Sequence, residues 1–252
     1  MHNFKSKVDS LDIRLFDAIP SQSSDGCRMA FLAVQRMTRE KDRSFSYLEI
    51  GSHLGGTIQP YLLDDRCIKI YSVDPRPASQ PDDRMPGYIH YYENNSSERM
   101  KGLLASLDAK SIEKVECFDT DVAGMEINSI TIAPEVVLID GEHTHKAVMA
   151  DFAFCQSVAS NSCTILFHDF NIIYPAINLI CKQLEISKKQ FVPLKLDGAV
   201  FAIFFDKDKI LSDPYLTSVY HKNRYYFRKF LLKEKIKKNI PHFLLQLKRR
   251  YF

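Results

Sequence analysis

The feature that most constrains the fold is a regular alternation of short apolar runs with segments of helical periodicity. Five runs are typical of buried strands: residues 46–50, 68–73, 115–118, 136–139 and 164–167. Between most of them, apolar residues recur every three or four positions, as on the buried face of a helix. Strands that alternate with helices in this way pair in parallel through right-handed crossovers. The sequence therefore predicts a doubly wound, Rossmann-like α/β sheet.

Two more apolar runs follow the fifth strand. Residues 191–196 and 200–205 flank Asp197-Gly198, a dipeptide typical of hairpin turns. We therefore predict a mostly parallel, seven-stranded sheet with a C-terminal antiparallel hairpin. The predicted organisation is an N-terminal helical extension over residues 1–44, an α/β domain over residues 45–212 and a basic amphipathic tail over residues 213–252.

Two helix starts can also be predicted. Asn95 precedes an apolar stripe and has Glu98 three positions further on, a pattern that caps the beginning of a helix. Pro175 follows the fifth strand, and proline is favoured in the first turn of a helix. We therefore expect one helix to begin next to Asn95 and another next to Pro175.

Length and composition bound the class of protein. A chain of 252 residues with 45% hydrophobic residues can bury one substantial core. Its six cysteines include no C-x-x-C pair, so we expect reduced and mostly buried thiols. The N-terminus lacks the apolar segment of a secretory signal, and no apolar run is long enough for a spanning helix. We therefore expect a soluble, cytoplasmic protein.

Acidic residues follow four of the five predicted parallel strands. They are Asp74, Asp119 or Asp121, Asp140 and Asp169. In an open α/β sheet, ligands bind in the crevice at the carboxyl ends of the strands. One aspartate at a strand end is often only a turn or cap residue, but several in register favour a binding site.

The first predicted strand runs into a glycine-rich loop, residues 49–56, with the sequence Glu-Ile-Gly-Ser-His-Leu-Gly-Gly. The loop does not match G-x-G-x-x-G, and the chain has no G-x-x-x-x-G-K-[ST] phosphate loop. However, it follows a buried strand and opens a helix, and Asp74 ends the next strand. Glycine lets the backbone approach a ligand closely, and a carboxylate can accept both hydroxyls of a ribose. The loop therefore favours a nucleoside-containing ligand.

These motifs resemble a known family. Residues 49–56 resemble the first motif of class I methyltransferases, and Asp74 resembles the acid that ends their second strand. Residues 139–145 (Ile-Asp-Gly-Glu-His-Thr-His) and Phe167-His168-Asp169 are similar to segments of the family that contains the macrocin-type and cephalosporin-cluster O-methyltransferases. The resemblance implies an S-adenosylmethionine-dependent O-methyltransferase whose methyltransferase domain is the predicted α/β domain. It also implies that the acceptor is a hydroxyl of a sugar, glycan or glycosylated small molecule.

The resemblance implies which residues bind the cofactor. The methionine end of S-adenosylmethionine would lie against Gly51 and its neighbours Glu49, Ser52 and Gly55. Asp74 would bind the ribose. Asp121, or less favourably Asp119, would lie beside the adenine.

By the same resemblance, the later motifs would carry the chemistry. Asp140, Asp169 and His168 would hold Mg²⁺ or another divalent metal, which lowers the pKa of a bound hydroxyl. Relatives with a clear metal site carry Glu where this chain has His168, so His168 could instead bind a softer metal, contact the substrate or form a hydrogen bond behind a ligand. His143 is the candidate general base, with Asp140 as its catalytic partner, because an unperturbed imidazole pKa of about 6.5 suits proton abstraction near neutrality.

The C-terminal tail is strongly basic. Residues 221–252 hold eleven Lys and Arg and a single Glu, a net charge of +10, whereas the whole chain has +3 and the rest is therefore acidic. Aromatic and aliphatic residues lie between the charges, and Pro241 divides the tail. A solvated extension, a peripheral contact with an anionic membrane and nucleic-acid binding are the alternatives. The acidic body and the lack of a recognised motif disfavour nucleic acid.

Other functions share the outline of this fold. A nicotinamide-dependent sugar oxidoreductase is disfavoured by the missing glycine pattern and by the His143 and His168 motifs. A non-catalytic Rossmann-like interaction module stays open, although Asp140 and Asp169 favour activity. A serine hydrolase is disfavoured because Ser52 does not lie in a G-x-S-x-G motif. Association into a homo-oligomer also stays open.

Overall fold

The computed structural model describes the backbone of residues 2–39 and 43–239 and the side chains of residues 4–39 and 43–236. The end of the predicted tail, residues 240–252 with Pro241, lies outside the described residues. The strands are β1 (Phe45–Ile50), β2 (Cys67–Val73), β3 (Ser79–Pro81), β4 (Ile89–Tyr91), β5 (Val115–Phe118), β6 (Val136–Ile139), β7 (Thr164–Phe167), β8 (Val192–Lys195) and β9 (Phe201–Phe204). The α-helices are α1 (His2–Asp9), α2 (Asp25–Arg39), α3 (Gln59–Leu62), α4 (Ser97–Leu107), α5 (His145–Val158), α6 (Phe170–Ile186), α7 (Lys207–Ser212), α8 (Pro214–Asn223) and α9 (Tyr226–Asn239).

Seven of these strands form one sheet in the order β5-β2-β1-β6-β7-β9-β8. The first five strands in this order, β5 to β7, pair in parallel with their neighbours, and β9 pairs antiparallel with both β7 and β8. The predicted fold class, a mostly parallel seven-stranded sheet with a C-terminal antiparallel hairpin, is therefore confirmed. The short strands β3 and β4 form a separate antiparallel hairpin, which the sequence analysis did not predict.

The register of the sheet brings the polar strand ends together. Ile50 of β1 pairs with both Val73 of β2 and Ile139 of β6, and Ile139 pairs with Phe167 of β7. The residues that follow these four strands therefore leave the sheet at one edge. The chain continues from β1 to β2 on one side, while β6 lies on the other side, so this edge is the switch point at which α/β sheets bind ligands.

The core has two layers, one on each face of the sheet. Successive residues of a strand point to opposite faces, so the neighbours Tyr47 and Leu48 belong to different apolar clusters. One cluster packs under α2, α3 and α4, and the other packs under α5 and α6. All four residues of β6 are buried, as expected for a strand covered on both faces. All six cysteines are free, and five of them are buried.

The two predicted helix starts are wrong. Ser96, and not Asn95, is the N-cap of α4, because its extended backbone lets its hydroxyl accept a hydrogen bond from Arg99 N at 3.1 Å. Helix α6 begins five residues before Pro175, directly after Asp169, whose left-handed backbone (φ 49°) turns the chain from β7 into the helix. Pro175 therefore lies inside α6, where it removes one backbone hydrogen bond.

The first part of the basic tail folds onto the body of the protein. Helix α9 contacts β8, and its Phe227 is buried against Phe170 of α6 and Phe201 of β9. Within the described part of the chain, no helix combines the length and the apolar character that crossing a bilayer requires.

Candidate active site

Two connected cavities lie at the edge where β1, β2, β6 and β7 end. The small cavity, with about 510 Å³ of empty volume that includes space open to solvent, is lined by the glycine loop and by His143, His168 and Asp169. The large cleft, with about 1210 Å³ open in part to solvent, runs past Asp74 and Asp121. Four residues line both: Gly51, His53, Tyr92 and Asp140. The two cavities therefore meet at the junction of β1 and β6.

The glycine loop is fixed in place by β2. His53 N donates a hydrogen bond to Asp74 Oδ2 at 2.9 Å, which ties the loop to the end of the neighbouring strand. Gly51 has φ 85°, and a Cβ atom there would lie 2.5 Å from the carbonyl carbon of Asp140. Only glycine fits this approach of two strand ends. Ser52 Oγ and His53 Nε2 are buried and have no partner among the described residues, so both can bind a ligand in the small cavity.

Glu49 lies at the inner wall of the small cavity and is 1% exposed. Its carboxyl group accepts hydrogen bonds from the hydroxyls of Tyr47, at 2.8 Å, and Thr57. Burial raises the pKa of Glu49 to about 8, against the hydrogen bonds from Thr57 and Tyr47, which favour the charged form. The residue therefore carries a proton at neutral pH in the ligand-free protein.

Gly55 takes a different place from the other predicted cofactor residues. Its φ is 79°, and a Cβ atom there would touch the side chains of Met100 and Leu104 in α4. It is absent from the lining of both cavities. The structure thus places Gly55 at a packing contact between the glycine loop and α4.

Asp74, which the resemblance implies would bind ribose, lines the large cleft. Its carboxylate accepts hydrogen bonds from His53 N and Arg76 N and contacts Arg76 Nη1 at 3.3 Å. The Arg76 side chain also donates a hydrogen bond to Ser72 Oγ at 2.7 Å. The backbone of Arg76 is left-handed (φ 53°). No motif in the sequence indicates a role for Arg76, yet its contacts fix the orientation of the Asp74 carboxylate.

The structure separates the two acids that follow β5. Asp121 lines the large cleft, and its carboxylate accepts hydrogen bonds from Ala123 N and Gly124 N. Asp119 instead accepts a hydrogen bond from Ser97 Oγ at 2.6 Å and does not line the cleft. Of the two alternatives, Asp121 is therefore the acid that a ligand in the cleft can reach.

Three side chains converge in the small cavity. His143 Nε2 lies 3.4 Å from Asp169 Oδ2 and 3.7 Å from Asp140 Oδ1. One potential ligand atom from each of the three residues lies within 4.8 Å of the others, the only such group of His, Cys, Asp and Glu among the described residues. His143 Nε2 is buried and makes no hydrogen bond within the described structure.

The other nitrogen of His143 is held by a residue that the sequence analysis missed. His143 Nδ1 lies 2.9 Å from Asp82 Oδ2, and the backbone and guanidinium group of Arg84 donate three hydrogen bonds to the same carboxylate. The backbone contributes as well, because Asp83 N donates to His143 O at 3.2 Å. Asp82 lies 61 residues before His143 in a polar loop, so no local signal in the sequence connects the two.

His168 lies beside the group and not within it. Its Nδ1 is 3.0 Å from Asp140 Oδ1, so this nitrogen is engaged by the carboxylate. The geometry therefore agrees with a hydrogen bond behind Asp140, one of the three roles that the sequence left open, while His143 completes the potential ligand group.

The charges of the cluster are strongly coupled. Burial opposes the ionisation of Asp140, but His168 and His143 outweigh burial and hold the pKa of Asp140 well below its usual range. Burial also opposes the charge on the two imidazoles, yet Asp140 and the neighbouring carboxylates raise the pKa of His143 to about 9 and that of His168 to about 11. In the cation-free site His143 is therefore protonated at neutral pH, unlike the unperturbed histidine that the sequence analysis assumed.

Comparisons with known proteins agree with this geometry. Residues 48–170 match a family model described as a methyltransferase domain. The solved structure of the O-methyltransferase NovP has a TM-score of 0.53 and 13% identity, with 76% of this chain and 79% of that chain covered. CalS11, a calicheamicin methyltransferase, has a TM-score of 0.53 and 13% identity over 79% of this chain and 91% of that chain. No curated protein sequence matches the chain.

At these identities the structural likeness shows the fold, while the family match identifies the domain. The structural likeness and the family match both agree with the observed strand order and with the glycine loop, which opens onto a cleft at the switch point. Residues 48–170, just under half of the chain, carry the methyltransferase domain of an S-adenosylmethionine-dependent methyltransferase.

Proposed function

We propose that this chain transfers the methyl group of S-adenosylmethionine to a hydroxyl oxygen of a sugar, a glycan or a glycosylated small molecule. The observation that carries the proposal is the junction of the two cavities at Gly51 and Asp140. A cofactor in the large cleft would direct its sulfonium methyl toward the small cavity. In that cavity the buried Nε2 of His143 makes no hydrogen bond to a described residue and lies between the carboxylates of Asp140 and Asp169.

In this proposal the large cleft binds the cofactor. Asp74 binds the ribose hydroxyls, since the residue lines the cleft and its carboxylate is oriented by the loop amide and Arg76. Gly51 lets the methionine portion pass close to the backbone, and Asp121 lies at the adenine end. Ser52 Oγ, which has no partner among the described residues, lines the small cavity next to Gly51 and would donate a hydrogen bond to the methionine end where the two cavities meet.

The transfer itself needs one proton acceptor. As the acceptor oxygen forms its bond to the methyl carbon, the carbon–sulfur bond breaks and its electron pair stays on sulfur, which leaves S-adenosylhomocysteine. The hydroxyl proton moves to His143 Nε2 in its neutral form. Asp82 accepts the hydrogen bond from Nδ1–H and stabilises the imidazolium that results. The junction of the two cavities would align the acceptor oxygen, the methyl carbon and the sulfur, and this alignment supplies much of the remaining rate enhancement.

The donor set of the small cavity fits a divalent cation. Asp140 and Asp169 supply carboxylate oxygens of the kind that Mg²⁺ prefers, and His168 holds Asp140 in orientation. When bound, the cation would supply positive charge that lowers the pKa of an acceptor hydroxyl and of the adjacent imidazolium. His143 would then be neutral at physiological pH and ready to accept a proton.

Calorimetric titration with S-adenosylmethionine and S-adenosylhomocysteine tests the cofactor site. We expect binding that Asp74→Asn weakens at least roughly tenfold, the loss typical for one buried charged hydrogen bond. The surface variant Asp65→Asn serves as the matched control and should bind normally. Absence of binding to the wild-type chain would contradict the proposal.

Incubation with labelled S-adenosylmethionine and glycosylated acceptors tests the reaction. We expect a labelled methyl ether that resists alkaline hydrolysis, whereas a methyl ester would be cleaved. Bound Mn²⁺ gives a paramagnetic signal that reports on the cation ligands. A nitrogen coupling that disappears in His143→Ala would show that His143 is a cation ligand and not the base.

A further inference from the structure

Helix α9 has two faces of different character. On its inward face, the Phe227 ring lies 4.7 Å from that of Phe201, and the Phe230 ring lies 5.0 Å from those of Phe170 and Tyr174. These contacts attach the helix to α6 and β9. The orientation of α9 on the body is therefore set by an aromatic cluster, and its opposite face points away from the core.

The outward face has an apolar centre. Leu232 is 60% exposed and Ile236 is 52% exposed. The two residues are four positions apart, so they form one stripe along the helix. Successive residues of an α-helix are rotated by about 100° around its axis, so Leu232 and Ile236 lie roughly opposite Phe227. This position agrees with their exposure. No described residue covers this stripe.

Basic residues flank the apolar stripe on both sides. Lys229 and Lys233 lie along one flank, and Arg228 and Lys235 lie along the other; all four are exposed. Glu234, the one acid of residues 221–252, lies seven positions after Phe227 and therefore on the docked side of the helix. The outward face is thus apolar at its centre and uniformly positive at its edges.

This pattern matches the chemistry of an anionic bilayer surface. An interfacial helix inserts apolar side chains at the boundary of the acyl chains while Lys and Arg contact anionic head groups. Nucleic acid fits the face less well, because single strands stack their bases on aromatic rings and the centre here is aliphatic. We propose that the outward face of α9 binds anionic lipid bilayers and holds the enzyme at a membrane surface. This inference does not depend on the proposed acceptor or on the cation site.

Co-sedimentation of the full chain with phosphatidylcholine vesicles, with and without about 30% phosphatidylserine, tests the proposal. We expect binding to the anionic vesicles alone, and release at high salt because exposed charges are then screened. The double variant Leu232→Ser/Ile236→Ser should lower the partition coefficient at least roughly tenfold, and Lys229→Gln/Lys233→Gln roughly 30-fold. Both pairs are exposed, so circular dichroism should show an unchanged fold.

Matched controls lie toward the other end of the sheet, away from β8 and β9. Ile68→Ser on β2 removes an exposed apolar residue, and Lys101→Gln on α4 removes an exposed charge. Both should bind vesicles as the wild type does. Equal binding by the α9 variants, or no binding by the wild type, would overturn the proposal. Binding to RNA without binding to vesicles would overturn it too, as would a dimer that Leu232→Ser/Ile236→Ser converts to a monomer.

Discussion

Replacement of Glu49 by Gln is expected to stabilise the protein at high pH and to leave its stability nearly unchanged at low pH. Glu49 is fully buried in β1, and burial raises the pKa of its carboxyl group from 4.5 to about 8. Gln has nearly the same shape and carries no charge. Its carbonyl oxygen can still accept a hydrogen bond from Tyr47 or Thr57, whose hydroxyls can rotate.

The sign and size of the effect follow from proton linkage. In the unfolded chain Glu49 loses its proton near pH 4.5, whereas in the folded chain it keeps the proton up to about pH 8. The unfolded state therefore binds fewer protons in this window, and stability falls as pH rises. A shift of this size corresponds to about 5 kcal/mol in total at 1.36 kcal/mol per pKa unit, and to about 3 kcal/mol at pH 7. The Glu49→Gln variant does not lose this unfolding free energy as pH rises, because Gln does not titrate.

Urea unfolding of both proteins from about pH 5 to about pH 9 measures the difference. Other titrating groups are common to both proteins, so they cancel in the difference of unfolding free energies. We expect this difference to grow in favour of Glu49→Gln with pH up to about 8 and then to level off. Glu113→Gln, an exposed control, should give a flat difference. A flat difference for Glu49→Gln would refute the assignment of a neutral, burial-shifted carboxyl group.

Three further predictions concern the loop, the base and the tail. Gly51→Ala should lower the midpoint of thermal unfolding and abolish calorimetric binding of S-adenosylmethionine, because the Cβ atom of alanine would collide with the backbone of Asp140. A wild-type unfolding midpoint together with wild-type binding would contradict this view of the loop. His143→Ala should lower kcat by roughly 10²-fold or more while the cofactor Kd stays within about twofold, and unchanged turnover would remove it as the base. Phe227→Ala should cost about 3–4 kcal/mol in urea unfolding, since the ring is 6% exposed, and a cost below about 1 kcal/mol would mean that α9 is not anchored there.

The sequence could predict those site residues that directly follow the parallel strands of the sheet. Each parallel strand is an apolar run with a clear end, and the residues after Ile50, Val73 and Ile139 must leave the sheet at one edge. Identification of the strands was therefore sufficient to bring Asp74 and Asp140 together, without any knowledge of the loops. The predicted bounds of β5, β6 and β7 agree with the structure for the same reason.

The part that sequence could not predict is built by residues 76–92. This segment has no helical or strand periodicity, yet it places Asp82 against His143 and Tyr92 at the junction of the two cavities. Its short hairpin of β3 and β4 is mostly exposed, so no apolar alternation reveals it. Contacts between residues about sixty positions apart depend on the packing of the loop, which composition alone does not fix.

The protonation state of His143 shows why the correct residue types do not give the chemistry. Taken alone, an imidazole three residues after Asp140 has the pKa of a general base. In the structure it faces Asp82, Asp140 and Asp169, and three carboxylates outweigh the cost of burial and keep the ring charged. In the proposed mechanism, positive charge bound at Asp140 and Asp169 would lower the pKa of this imidazole and leave it able to accept a proton. The proposed proton acceptor and the proposed cation site would therefore act as one electrostatic unit, which Asp82 joins through its contact with the His143 ring.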